Sequence, residues 1–327
     1  MKRIYSIFYT ILLIIIGVFC YDVFGWGNSA ETIQISISEN DNLSVLSDKL
    51  KEEKVIFSKH LFKLFYQFNT HSTTIHPGTV TLHKNDSYQQ ISKAISDSKK
   101  GTVTITIPEG FEVREIAERL FKNELISSEN DFYTALENYS FQTNQGNIIT
   151  GEALNGFLFP DTYAIPQSTT PKAIITMMTN HFNTKWTDEF QKKADALNMD
   201  VTEVITLASI VEREARKETD FPLDASVFHN RLQQGKKLES CATVQYILKE
   251  RKAVLSVADT QIDSPYNTYR YEGLPPAPIA VPGMLAIEAV LSPANTDYLY
   301  FFTDKNGNNH YARTYAEHNA LINQYGL

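Results

Sequence analysis

The segment from Val204 to Ala215 constrains the fold most strongly, because apolar residues recur there at helical spacing without a glycine or proline. It predicts a helix with one face in the core. At about 100° per residue, Glu214 projects about 50° from the centre of that face, whereas Glu212 lies about 110° away. We therefore expect Glu214 to tip toward the core and Glu212 to face water.

Glu214 has two interpretations. A carboxyl held against apolar side chains loses hydration, which raises its pKa and suits a general acid near neutral pH. Alternatively, Glu214 is a helix-end carboxylate that pairs with Arg213, Arg216 or Lys217. The spacing of the residues leaves both interpretations open.

A second apolar segment, residues 4–23, carries no charged side chain before Asp22. A helix of this length spans a bilayer core of about 30 Å at about 1.5 Å per residue. Lys2 and Arg3 precede it, which places the N-terminus in the cytoplasm and the body outside. No small-x-small cleavage site follows, so we expect an uncleaved anchor rather than a signal peptide.

The bulk composition narrows the class of protein. The chain has 327 residues, 43% of them apolar, which is enough for two or three modules with their own cores. Its 30 basic and 38 acidic residues give a net charge of -8, so we expect no nucleic-acid partner. No HExxH or paired CxxC motif occurs, and we expect neither a metal nor a cofactor. Cys241 is expected to be a small buried residue.

Residues 31–126 repeat one pattern three times: a strand, a turn and a short amphipathic helix. Each unit begins with apolar residues at every second position, as in a strand, and continues with apolar residues at helical spacing. The strands and their helices are Ile33–Ile37 with Leu43–Leu50, Thr79–Leu82 with Ile91–Ile95, and Val103–Ile107 with Val113–Leu120. This pattern is typical of a small α+β module.

Separated motifs then occur in a fixed order: LASIVERE, ASVFHNRL, LESCATVQY, SPYNTY, GLPPAPIAVPG and a final HN. With them the chain resembles, over essentially its whole length, the MltG (YceG-like) family of endolytic murein transglycosylases. The resemblance implies that the second Glu of the IVERE motif, Glu214, is catalytic. Glu212, in the same motif, is kept as a supporting candidate. It also implies a LysM-like module near the N-terminus, a fold associated with glycan binding. The alternative for that module is a docking platform without sugar affinity.

The rigid run Asn155–Tyr163 supplies two candidates for substrate binding. The carboxylate of Asp161 suits sugar hydroxyls, and the ring of Tyr163 suits a sugar face. The alternative is a packing wedge in which Asp161 caps a turn.

Two later segments supply further candidates. Asn230 and Arg231 offer donors to sugar hydroxyls or a peptide carboxylate, unless they tie their helix to its neighbours. Thr243 is retained from a TDPTV-like family pattern in which Cys241-Ala242 here replaces Asp-Pro, so an acidic partner at that position is in doubt. The proline-rich run 264–283 forms a preorganised wall or a rigid connector. Its candidates are Tyr266, Asn267 and Tyr269.

We expect an α+β fold in four parts: residues 1–3 in the cytoplasm, a transmembrane helix over 4–25, a LysM-like α+β module over 26–126, and a mixed α/β catalytic domain over 127–327. Near the C-terminus, a strand over Tyr298–Phe302 and the Asn306-Gly307 turn predict a hairpin that includes His310-Tyr311.

The expected function is that of a membrane-anchored transglycosylase that cuts peptidoglycan within its glycan strands. The resemblance implies 1,6-anhydro-MurNAc products, release or termination of nascent strands, and penicillin-binding proteins as partners. The sequence supplies one candidate acid and no obvious second carboxylate, which suits this reaction. The alternatives are a non-catalytic glycan-binding anchor and a two-carboxylate muramidase.

Overall fold

The computed structural model describes residues 23, 32–38, 41–70, 75, 78–84, 86–97, 102–167, 169–252 and 254–326. They fall into two compact units. Unit 1 takes its described residues from Met1–Thr104 and Ala164–Thr169, and unit 2 from Ile105–Tyr163 and Thr170–Leu327. The predicted membrane segment, residues 4–25, lies outside the described residues except for Val23. Among the helices that the structure describes, none has both the length and the apolar character needed to cross a membrane.

Unit 1 combines helices with an antiparallel strand pair. Its elements in order are β1 (Thr32–Ile37), α1 (Leu43–Glu52), α2 (Lys59–Thr70), β2 (Gly78–His83) and α3 (Tyr88–Asp97). In the pairing of β1 with β2, Ile35 lies opposite Val80, and both side chains enter the core because alternate residues of a strand share a face. The first two predicted strand and helix pairs are confirmed, and α2 was missed.

The third predicted strand has a different partner. β3 (Thr102–Thr106) pairs with β6 (Thr162–Pro166), and the division between the units passes through both strands. The helix that follows β3, α4 (Val113–Lys122), belongs to unit 2. The local pattern of the third repeat is therefore confirmed, while its strand pairs with a later part of the chain.

The rest of unit 2 is mainly helical, with short antiparallel hairpins, so the chain is a mixed α+β protein as expected. Its further elements are α5 (Glu129–Glu137), β4 (Ser140–Gln142), β5 (Ile148–Thr150), α6 (Pro171–Lys185), α7 (Asp188–Ala196), α8 (Val201–Glu214), α9 (Phe221–Gln233), α10 (Cys241–Leu248), α11 (Met284–Leu291), β7 (Tyr300–Thr303), β8 (Asn309–Ala312) and α12 (Tyr315–Tyr325).

Helix α8 is central to unit 2 and packs against α9, α10 and α11. It begins at a capping box in which Asp200 and Glu203 bond each other's backbone N–H. Every residue from Val204 to Val211 is buried, including Thr206 and Ser209. The helix is therefore enclosed on all sides rather than along one stripe.

Gly156 allows the run that contains Asp161 to approach α8 closely. A Cβ at this position would lie 2.5 Å from Ile205 and 2.6 Å from Pro278, so a larger residue does not fit without movement. Phe157 and Leu158 are fully buried beside it. The run is thus a packing wedge against α8.

The predicted C-terminal hairpin is confirmed. β7 and β8 pair antiparallel around a turn in which Gly307 has a φ of +76°, and β7 begins at Tyr300 rather than Tyr298. Helix α12 packs on both strands, yet none of its residues is buried. This hairpin and α12 line part of a cleft in unit 2.

Candidate active site

A cleft of about 960 Å³ in unit 2 is the candidate active site. One side of the cleft is lined by the C-terminal end of α8, the segment Leu238–Ala242 and α9. The hairpin strand β7, the turn after it and α12 also contribute to the lining. A volume in this range accommodates a ligand of several rings.

Glu214, the last residue of α8, reaches this cleft and is half-buried. Its Oε1 accepts hydrogen bonds from Ser240 Oγ at 2.5 Å and from the backbone N–H of Ala242 at 3.2 Å. Ala242 lies in the first turn of α10, whose unpaired N–H groups suit a carboxylate. Among the described residues no protein group donates to Oε2. This second oxygen is therefore free to give or accept a proton.

The bond from Ala242 requires a residue with a backbone N–H at position 242. A proline at position 242 has no N–H and could not donate to Glu214. The neighbouring Cys241 is exposed in the cleft, with Sγ 3.1 Å from the hydroxyl oxygen of Tyr269. The expectation that Cys241 is buried was wrong, because its side chain points into the cleft rather than into the core.

The expectation that Glu212 faces water was also wrong. Glu212 Oε2 accepts the backbone N–H of Gly283 at 3.0 Å. Burial, with the nearby charge of Glu109, raises the pKa of Glu212 to about 7. Arg213 is buried as well and pairs with Glu112 at 3.0 Å, not with Glu214. Helical periodicity failed here because Val204–Val211 is buried all round, so its apolar residues do not mark one face from which the direction of Glu212 can be read.

Asp224 on α9 is a carboxyl that the sequence analysis missed. It is 0% exposed, and its Oδ1 accepts the hydroxyl of Tyr311 at 2.8 Å and the side-chain amide of Asn309 at 3.3 Å. Burial, with the charges of Glu214 and Asp220, raises the pKa of Asp224 to about 7. Asp224 is therefore close enough to Glu214 for the two charges to interact.

The other two carboxyls that line the cleft already have partners. Glu239 pairs with Arg231 at 2.8 Å. Asp304 accepts the backbone N–H groups of Asn306 and Asn308 and contacts the His310 ring at 3.0 Å. Asp304 thus has both oxygens bonded, whereas Glu214 has one oxygen that no described group bonds, and so does the ion-paired Glu239.

The cleft is basic although the chain is acidic. Six basic and three acidic side chains line it, against a net charge of -8 for the whole chain. Four of the six basic side chains are paired with carboxylates. Arg216 and Lys305, for which the structure describes no ion pair, are the cations best able to attract a ligand that carries negative groups. Within the described residues, no group of three or more His, Cys, Asp or Glu side chains is arranged to hold a metal ion.

Two of the predicted binding residues, Arg231 and Tyr269, line the cleft. The guanidinium of Arg231 is mostly engaged by the protein, since it donates to the carbonyls of Lys237, Leu238 and Leu299. It thus ties α9 to its neighbours, as the alternative interpretation held. Tyr269 contacts Cys241 and is the better placed of the two for a ligand.

The remaining candidates lie outside the cleft lining and bond within the protein. Asn230 donates to the carbonyls of Thr296 and Tyr298. Thr243 and Asn267 are both 0% exposed. The other three candidates form hydrogen bonds within the protein. Tyr163 donates to the Phe159 carbonyl, Asp161 bonds the ring of His181, and Tyr266 donates to Glu152. A role for any of these in substrate binding stays a prediction.

Fold and site together define an α+β protein in which one carboxylic acid, at the end of an enclosed helix, faces a basic cleft. The sequence profile of the YceG-like family matches residues 35–324. The protein therefore belongs to the YceG-like family.

Similarity to individual proteins agrees with this assignment. The chain is 30% identical over 313 residues to the endolytic murein transglycosylase of Bacillus subtilis (strain 168), covering 91% of this chain and 86% of the relative. It is 28% identical over 327 residues to the endolytic murein transglycosylase of Streptococcus pneumoniae (strain ATCC BAA-255 / R6), and it spans 59% of that longer protein. The crystal structure of a YceG-like protein from Listeria monocytogenes matches with a TM-score of 0.61 and 30% identity, over 90% of this chain and 100% of that one.

Proposed function

We propose that this protein is a membrane-anchored endolytic peptidoglycan transglycosylase and that Glu214 is its catalytic acid and base. The observation that carries the proposal is the placement of Glu214, which has one oxygen held by Ser240 and Ala242 and the other open to the cleft. A general acid must reach the leaving oxygen within hydrogen-bond distance, and Oε2 is free to do so. The names of the relatives support murein as the substrate.

In the proposed reaction, Glu214 protonates the glycosidic oxygen between MurNAc and GlcNAc, and the bond from C1 to that oxygen breaks. The C6 hydroxyl of the same MurNAc attacks C1, and its proton passes to Glu214. The product carries a 1,6-anhydro-MurNAc end and no water is consumed. Ser240 and Ala242 keep the carboxyl in one orientation through both steps because they bond the oxygen that does not carry the proton.

The lining of the cleft favours this one-acid reaction over a muramidase. A hydrolase needs a second carboxylate across the scissile bond, as nucleophile or as base for water. Both oxygens of Asp304 are bonded by the protein, Glu239 is held in an ion pair with Arg231, and Glu212 and Asp224 are not part of the cleft lining. A non-catalytic glycan-binding anchor would have no need of an acid with an open oxygen.

We also propose the topology that the sequence predicts. Residues 4–25 anchor the chain in the cytoplasmic membrane with residues 1–3 inside, so the LysM-like module (26–126) and the catalytic domain (127–327) lie outside. The order β1, α1, α2, β2, with β1 and β2 antiparallel, supports the LysM-like assignment. The partners would be peptidoglycan strands and penicillin-binding proteins, and the cut would release or terminate nascent strands.

Product analysis tests the function. The full chain, purified in detergent, is incubated with peptidoglycan, and the soluble products are separated and weighed by mass spectrometry. We expect fragments that end in 1,6-anhydro-MurNAc, each 18 Da lighter than the hydrolysed form, a difference set by one water. Reducing ends instead would indicate a hydrolase, and uncut peptidoglycan would indicate a binding protein.

A further inference from the structure

The cleft extends from Glu214 to a group of aromatic side chains on β7 and α12. Tyr300, Phe302, Tyr315 and His318 line the same cleft as the catalytic carboxyl. The chemistry proposed for Glu214 needs none of them in contact with the reacting atoms. These side chains therefore line the cleft without a part in that chemistry.

The two faces of the hairpin differ in what covers them. Phe301 turns toward α9, where its ring centroid lies 5.9 Å from that of Phe228 at nearly a right angle. Tyr300 lies on the other face, with its ring centroid 5.5 Å from that of His318 and 6.0 Å from that of Tyr315. Arg231 of α9 also lies over the Tyr300 ring, 5.0 Å from its centroid. The aromatic group thus sits on the α12 side of the hairpin, with Tyr300 partly covered by the protein.

Tyr315 is the most open member of this group. It is 64% exposed although it lines a cleft, and none of the residues of α12 is buried. A Tyr ring left this exposed contributes little to packing, whereas its apolar face suits the C–H surface of a sugar ring. Burial and the charge of Arg231 lower the pKa of His318, so its ring is neutral at pH 7 and can bond a sugar hydroxyl.

Two features indicate which ligand the aromatic group binds: the group lines the same cleft as Glu214, and basic side chains outnumber acidic ones in that cleft. An endolytic cut falls within a strand, so sugar rings must lie on both sides of the bond that is broken. The cleft is large enough for more than one ring, and its excess of basic side chains complements the carboxylates of peptidoglycan. These features fit a glycan strand better than a wholly apolar ligand.

We propose that Tyr315, with Tyr300 and His318, forms a saccharide subsite that stacks on a ring of the glycan strand next to the bond that Glu214 cleaves. This inference rests on the proposed function. The subsite holds the strand across the cleft, and its loss weakens glycan binding without removing the acid.

Binding in a catalytically inactive background tests the subsite. The full chain with Glu214→Gln is titrated with peptide-free glycan strands prepared with an amidase, and the dissociation constant is measured. Tyr315→Ala and Tyr315→Leu are each expected to weaken binding roughly three- to tenfold, as loss of one aromatic stack implies. Tyr315→Phe keeps the ring and should stay within about twofold of the parent.

Tyr325→Ala is the matched control, because Tyr325 is an exposed tyrosine on the same helix but does not line the cleft. It should leave glycan binding unchanged. Unchanged binding in Tyr315→Ala and Tyr315→Leu would overturn the subsite, and so would an equal loss in Tyr325→Ala, since that would mean that α12 had merely loosened.

The two proposals fail separately. If the chain with native Glu214 yields anhydro products while Tyr315→Ala binds glycan normally, the subsite is wrong and the function stands. If Tyr315→Ala weakens binding but the native chain never cuts peptidoglycan, the function is wrong and the cleft still binds glycan through Tyr315.

Discussion

The backbone N–H of Ala242 lies 3.2 Å from Oε1 of Glu214, which joins the first turn of α10 to the last residue of α8. A donor on this oxygen helps to hold the carboxyl in one orientation.

Replacing Ala242 by proline removes this donor, and proline is tolerated in the first turn of a helix. The carboxyl should then be held less firmly toward the substrate, because Oε1 has lost one hydrogen bond. We expect the rate of anhydro-product formation to fall roughly two- to tenfold, the range that the loss of one hydrogen bond implies. Ala242→Gly keeps the N–H and serves as the control. Equal rates for Ala242→Pro and the native chain would show that the bond has no role.

Asp224 makes the stability of the fold depend on pH. Its pKa is raised by burial from the ordinary 3.8 to about 7, so the folded state binds more protons than the unfolded state between those values. Through Asp224, the free energy of unfolding should therefore fall as pH rises from about 4 to about 7, by no more than about 4 kcal/mol, and then level off. Glu212, whose pKa is also raised to about 7, adds a fall of the same sign over nearly the same range. Asp224→Asn should remove this part of the pH dependence and be more stable than the native chain at pH 8.

Thermal unfolding at a series of pH values measures this effect. Asp131→Asn is the control, because Asp131 is exposed on α5 and the same substitution there should leave the curve unchanged. A native chain whose stability rises between pH 4 and 7, with no change in Asp224→Asn, would contradict the assignment.

Glu212 is expected to stabilise the fold rather than to take part in the reaction. Glu212→Ala leaves the Gly283 N–H at the start of α11 without its acceptor, which should cost about 1–3 kcal/mol of unfolding free energy. Glu212→Gln keeps an acceptor and avoids repulsion from Glu109, so it should lose less stability and retain activity. Chemical denaturation and product formation, measured on both variants, separate the two effects. A stable but inactive Glu212→Gln chain would instead place Glu212 in the catalytic step.

The sequence was sufficient for features that depend on neighbouring residues. The apolar spacing from Val204 to Val211 predicted α8, and the Asn306-Gly307 turn predicted the C-terminal hairpin. The motif that contains Glu214 pointed to the residue that now faces the cleft.

Features that depend on distant residues were not predictable in the same way. Asp224 bonds Asn309 and Tyr311, which lie 85 and 87 residues further along the chain. No local sequence pattern links these residues. The orientation of Glu212 was misjudged because an enclosed helix has no polar face from which to read the direction of a side chain. The aromatic side chains beside the cleft came together only through the packing of α12 on the hairpin.

The role of Glu214 is tested most directly by the rate at which peptidoglycan is converted to 1,6-anhydro products. Glu214→Gln preserves the shape of the side chain but removes the transferable proton, so the rate should fall by at least roughly 10²–10⁴-fold with little change in stability. The matched control is Glu218→Gln, the same substitution at an exposed position four residues beyond Glu214, which should keep the native rate. Native rates of anhydro-product formation in Glu214→Gln, or an equal loss in Glu218→Gln, would contradict the account.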